Sequence, residues 1–126
     1  MSKPKHKGRR QSKHPDPVVT EIVRAYLTEA GFEVARLNGL ACASPRVIAQ
    51  VPAEVIRDAL RELDKPDIDA LLQVGTALPT VAVAAEAERW FGKPVLAINA
   101  VTYWDALRRI GIEDRVYGCG RILEEF

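Results

Sequence analysis

Apolar residues recur at helical spacing from Val18 onward: Val19, Ile22, Val23, Tyr26 and Leu27 share one side of a 3.6-residue period. Asp16, flanked by Pro15 and Pro17, reads as the cap that starts this helix, and Gly31 as its stop. Phe32, Val34, Ala35 and Leu37 then read as a short strand, broken by Asn38-Gly39. The small, loop-like run Leu40 to Ser44 leads to a short helix starting at Pro45. Pro52 opens a clearer helix whose apolar face is Val55, Ile56, Ala59, Leu60 and Leu63. Lys65-Pro66-Asp67 ends it, and residues 68–74 read as a strand buried on both faces. Gly75-Thr76 turns the chain. A helix near Pro79 runs through Val81, Ala85, Ala87 and Phe91 and stops at Gly92. Residues 95–98 form another buried strand, and a helix through Trp104, Leu107 and Ile110 ends at Gly111. Beyond the turn Gly118-Cys119-Gly120, Ile122 and Leu123 are expected to pack back on the body.

Helices and strands therefore alternate. This predicts an α/β fold, with a parallel sheet of about three to four strands covered by helices on both faces. With 126 residues, the expectation is a basic, disordered tail at 1–16 and a single α/β domain at 17–126. Composition agrees with a soluble protein: 48% of residues are hydrophobic and 28% charged. No apolar run approaches the roughly 20 residues that cross a bilayer. The basic N-terminus lacks the apolar stretch of a secretory signal, so a cytoplasmic location is expected and no membrane association. Cys42 and Cys119 lie far apart, outside any metal-ligand spacing, and are expected to be reduced thiols.

Charge separates the tail from the body. Six of the 18 basic residues lie within the first 14 positions, leaving 12 to set against 17 acids, a net −5. The tail has no interleaved aromatics and no recognisable nucleic-acid module, so nucleic-acid binding is not expected.

In a parallel α/β sheet, ligands bind at the carboxyl ends of the strands. Three loops fall there: 38–44, 75–78 and 99–103. Gly75-Thr76 is the strongest candidate. Glycine lets a ligand approach the backbone, Thr76 adds a hydroxyl, and a following helix start offers free N–H groups to a carboxylate. A plain turn capped by Thr76 explains the same residues equally well. Cys42 is the thiol at this edge and the candidate catalytic residue, although between Ala41 and Ala43 it more often reads as a small packed side chain. Asn99 reads either as a ligand contact or as a helix cap, and Tyr103 as a second contact beside a core Trp104. Both histidines, His6 and His14, lie in the tail, which removes histidine-based catalysis and metal binding from the body. Glu86 and Glu88, two apart on a helix, read as solvated.

The run Asp69-Ala70-Leu71-Leu72-Gln73-Val74-Gly75-Thr76-Ala77-Leu78 resembles the second signature of the Asp/Glu racemase superfamily. Residues 86–95, 103–108 and 118–123 continue the resemblance to its arylmalonate decarboxylase and maleate cis-trans isomerase branch. The resemblance implies a fold of two α/β halves with the active site between them, of which this chain matches the C-terminal half. It implies cofactor-free and metal-free chemistry on a small mono- or dicarboxylate. Cysteines move protons, and threonine, tyrosine and backbone N–H groups hold the carboxylate. It places substrate binding at Gly75, Thr76, Asn99 and Tyr103. Where the family often carries Cys-Thr-Asn-Leu, this chain has Gly75-Thr76-Ala77-Leu78. The expectation is thus a truncated relative without the complete cysteine machinery, inactive alone and partnered by a second copy or a separate N-terminal half. The alternative is a non-enzymatic remnant or oligomerising binding module.

Overall fold

The first helix begins where the proline-led start was expected. In the computed structural model, which describes residues 17–40, 42 and 44–126, α1 spans Pro17–Glu29. The expected tail, the Asp16 cap, Ala41 and Ala43 fall outside the described residues. Gly31, at φ +96°, closes α1: its N–H donates to the Thr28 carbonyl and that of Phe32 to the Leu27 carbonyl. That pair of bonds needs the left-handed backbone that glycine adopts without strain.

After α1 come α2 (Pro45–Ile48), α3 (Ala53–Leu63), β1 (Leu71–Gln73), α4 (Val81–Phe91), β2 (Val95–Ala97), α5 (Ile98–Arg109) and α6 (Arg121–Glu125). Strands β1 and β2 pair in parallel, with Leu71 opposite Val95 and Gln73 opposite Ala97. Helix α4 makes the crossover that parallel pairing requires. Both α4 and α5 pack on β2, α3 packs on α4, and α6 on α5. Ile56 and Leu60 of α3, Leu71, Val95, Leu123 and the small side chains Ala84, Ala87, Ala97 and Ala100 form the buried core. Alanines on α4 and β2 let helix and strand approach closely, so a two-stranded sheet still closes a core.

Two strand expectations are corrected. Among the described residues the sheet has two strands, fewer than the three to four expected. Phe32 to Leu37 joins no ladder. Its alternation suits a strand, but a strand exists only against a partner, and among the described residues β1 bonds to β2 alone. Side chains hold the segment instead: Arg24 Nη1 donates to the Val34 carbonyl at 2.9 Å, Arg36 pairs with Asp67 at 2.6 Å, and Asn38 donates to Glu62 at 3.3 Å. Residues 68–74 are also not buried on both faces. Leu71 is buried, but Leu72 and Val74 are 40% and 49% exposed, because β1 is an edge strand covered on one face.

The Arg36–Asp67 contact makes this segment sensitive to acid. The guanidinium, donating to both carboxylate oxygens, holds the Asp67 carboxyl below its ordinary range. A lowered carboxyl pKa favours the folded contact above the ordinary range and loses that support as pH falls through it and then through the lowered value. Backbone resonances of residues 35–37 are therefore expected to be unchanged from neutral pH down to about 4, and to shift at lower pH while those of α3 hold. Unchanged resonances at pH 2 would show that the pair does not hold the segment.

A further correction concerns charge. Glu86 and Glu88 are not both solvated. Glu86 accepts from Arg57, but Glu88 is 7% exposed. Its Oε1 accepts from Val95 N–H at 3.1 Å and its Oε2 from Arg121 N–H at 2.9 Å. Trp104 packs against the core as expected, Cys119 packs there as well, and both cysteines are free. No helix of the described residues is long and apolar enough to cross a membrane.

Candidate functional site

The carboxyl end of the sheet is built from the loop after β1 and the start of α5, which follows β2 without a connecting loop. Gly75 lies at φ +113°, a conformation that other residues adopt only with strain. Two side-chain amides fasten the loop to α5. Gln73 Nε2 donates to the Gly75 carbonyl at 2.6 Å, while its Oε1 accepts from the Ile98 N–H at 3.4 Å. Asn99 Nδ2 donates to the Thr76 carbonyl at 3.0 Å. Gly75, Thr76 and Asn99, all named from sequence, are thus brought together.

Neither capping role occurs. Helix α4 starts at Val81 with Thr80 before it, four residues beyond Thr76. Helix α5 starts at Ile98, so Asn99 lies inside its first turn and reaches across to the loop. Tyr103 lies four residues further along α5, on the same face, and is 52% exposed. Cys42 is half-buried, and no hydrogen bond among the described residues links it to the loop. Asn38 faces Glu62 of α3 instead. Gln73 was missed. The available signal was an amide at the end of an apolar strand, two residues ahead of a glycine turn.

Gly75, Thr76 and Ala77 are exposed, and the first turn of a 12-residue helix contributes partial positive charge beside them. The ion pairs with displaced pKa values lie elsewhere: Glu86 and Glu54 hold the Arg57 guanidinium protonated, and Arg121 holds the Glu125 carboxyl down. Among the described residues no group of three or more His, Cys, Asp or Glu is placed to hold a metal ion. A cavity of about 270 Å³ opens between β2, α5 and α6, lined by Leu96, Trp104, Ile122 and Phe126, at the opposite end of β2 from the loop. The site is therefore an open wall with neutral donors.

A family model described as arylmalonate decarboxylase matches residues 12–123. The chain belongs to the arylmalonate decarboxylase family. Among curated proteins, maleate isomerase of Nocardia farcinica is 32% identical over 108 residues, which make up 85% of this chain and 43% of that protein. Maleate isomerase of Alcaligenes faecalis is 26% identical over 106 residues, 83% of this chain and 42% of its own. Among solved structures, the N. farcinica maleate cis-trans isomerase carrying a covalently bound succinylcysteine intermediate matches with a TM-score of 0.81 and 30% identity, over 90% of this chain and 46% of its own. An arylmalonate decarboxylase mutant in the liganded form matches with a TM-score of 0.81 and 27% identity, over 90% and 49%. The chain thus spans less than half the length of each of these relatives.

Proposed function

We propose that this chain supplies one wall of a small-carboxylate site of the arylmalonate decarboxylase and maleate isomerase type. The observation that carries the reading is the Gly75-Thr76 loop, fastened by Gln73 and Asn99 at the carboxyl end of a parallel sheet. Backbone N–H groups and the Thr76 hydroxyl hold one carboxylate, and Asn99 and Tyr103 flank it. The chemistry of the family type moves a proton at carbon and needs an acid or base there. Gly75 offers none, so the proton carrier comes from a second wall, provided by another polypeptide segment or a second copy. Cys42 is the candidate that this chain itself brings. A second wall also excludes water, which strengthens every donor aimed at a developing oxyanion.

Titration of the isotope-labelled chain with maleate tests the reading. The expected result is a saturable shift of the Thr76 and Ala77 amide resonances, no turnover of maleate or of an arylmalonate, and no change on Cys42→Ser. Absence of any shift in these amides would refute the carboxylate site. Turnover by the chain alone, abolished in Cys42→Ser, would refute the need for an outside proton carrier.

One observation favours a second reading, an oligomerising binding module. Val19, Ile22 and Tyr26 on α1 are 57%, 63% and 73% exposed, and together they form an apolar stripe of the kind that marks association surfaces. Sedimentation as a stable oligomer with no maleate response would decide for it.

A further inference from the structure

We propose that Gln73 and Asn99 are positioning residues that aim the peptide N–H groups of Thr76 and Ala77 outward as a carboxylate-binding pair. This deepens the carboxylate reading above and rests on it for the identity of the ligand.

The argument begins with peptide geometry. In a planar trans peptide, the carbonyl of one residue and the N–H of the next point in opposite directions. Gln73 Nε2 holds the Gly75 oxygen at 2.6 Å, so the Thr76 N–H faces away from the Gln73 side chain. Asn99 Nδ2 holds the Thr76 oxygen at 3.0 Å, so the Ala77 N–H faces away from α5. Neither N–H has a hydrogen-bond partner among the described residues, and both residues are exposed. Successive N–H groups turned to solvent form the concavity that holds anions elsewhere.

Gln73 suits this work by its length and its two kinds of atom. Side chains alternate along β1, so Gln73 shares the face of the buried Leu71. From there its Oε1 reaches the Ile98 N–H of α5 and its Nε2 the Gly75 carbonyl, two residues on. An apolar side chain offers neither bond, and a carboxylate keeps only the acceptor. The loop orientation is thus set from the body of the domain before any ligand arrives. Such preorganisation raises affinity by removing an ordering cost from the binding step.

The test uses the full chain labelled with nitrogen-15, with maleate as probe, and compares the wild type with Gln73→Met and Asn99→Ala. In the ligand-free wild type, N–H order parameters of about 0.85 are expected at Thr76 and Ala77, falling below about 0.6 in Gln73→Met. In Asn99→Ala the loss is expected at Ala77 alone. Maleate affinity is expected to fall about tenfold in each variant, while order parameters in α3 and α4 stay at the wild-type value. A loss of order spread over the whole domain would reassign Gln73 to general stability and overturn the proposal. So would unchanged order at Thr76 and Ala77. If the two amides loosen as expected but the wild type does not respond to maleate, the positioning role stands and the carboxylate reading falls.

Discussion

Replacing Glu88 with alanine is expected to lower the free energy of unfolding by about 2–3 kcal/mol, since a buried donor left without a partner costs about 1–3 kcal/mol and a half-buried one less. One carboxylate joins three elements here. It stands in the last turn of α4, accepts from the first N–H of β2 through Oε1, and accepts from the first N–H of α6 through Oε2. Alanine leaves the Val95 and Arg121 N–H groups without acceptors. Against the total stability of a small domain, roughly 5–15 kcal/mol, this loss is large. Glu88→Gln is expected to show about half of it, because one oxygen becomes an NH₂ group that cannot accept. Glu86→Ala removes a half-buried pair with Arg57 and is expected to cost about 1 kcal/mol. Urea unfolding of the three variants measures the series, read from midpoints at a common slope. A Glu88→Ala cost below about 1 kcal/mol would show that both N–H groups find water, and that the carboxylate is not what joins the elements.

The contrast between Glu86 and Glu88 shows what the sequence makes legible. Helices α1, α3, α4 and α5 announce themselves through apolar spacing and through Gly31, Gly92 and Gly111 just beyond their ends. These signals are local, and the chain needs nothing from elsewhere to obey them. Burial of Glu88 depends on what surrounds α4. Val83, Ala84, Ala85 and Ala87 are all buried, so the helix is covered over more than half of its circumference. Its alanine content was the available hint that a glutamate among these residues would not be solvated. Phe32 to Leu37 fails for the opposite reason: its alternation is right, but pairing depends on a neighbour that alternation cannot supply. The site divides in the same way. Gly75 and Thr76 follow from the rule that ligands meet parallel sheets at the carboxyl end. The crossing bonds of Gln73 and Asn99 join residues 25 and 23 positions apart, so local sequence can mark the two amides but not the partners they reach.

Gly75→Cys, which restores the residue that the racemase superfamily often carries in this signature, is expected to destabilise the chain by about 2 kcal/mol, as strained φ values cost of order 1–3 kcal/mol. Space is not the obstacle. A Cβ on Gly75 meets only Gln73 Nε2, at 3.8 Å, an ordinary contact. The obstacle is φ +113°, which a side-chain-bearing residue escapes by rotating the adjoining peptides. That rotation carries the Gly75 carbonyl out of reach of Gln73 and breaks the 2.6 Å bond. Restoring the thiol therefore disturbs the loop that it would serve, and the maleate response at Thr76 and Ala77 is expected to weaken with no gain in turnover. The two positions should be coupled. With Gln73→Met already in place the bond is absent, so adding Gly75→Cys costs only the residual strain, and the double variant is less destabilised than the two single losses added together. A double-mutant cycle reads the coupling, expected at about 1 kcal/mol for residues sharing one hydrogen bond. Strict additivity would mean that the cysteine keeps the glycine's backbone and the Gln73 bond. The left-handed turn would then be a property of the loop and not of the glycine. A coupled result would make Gln73 and Gly75 one unit, in which the amide exploits a turn that only glycine makes without strain.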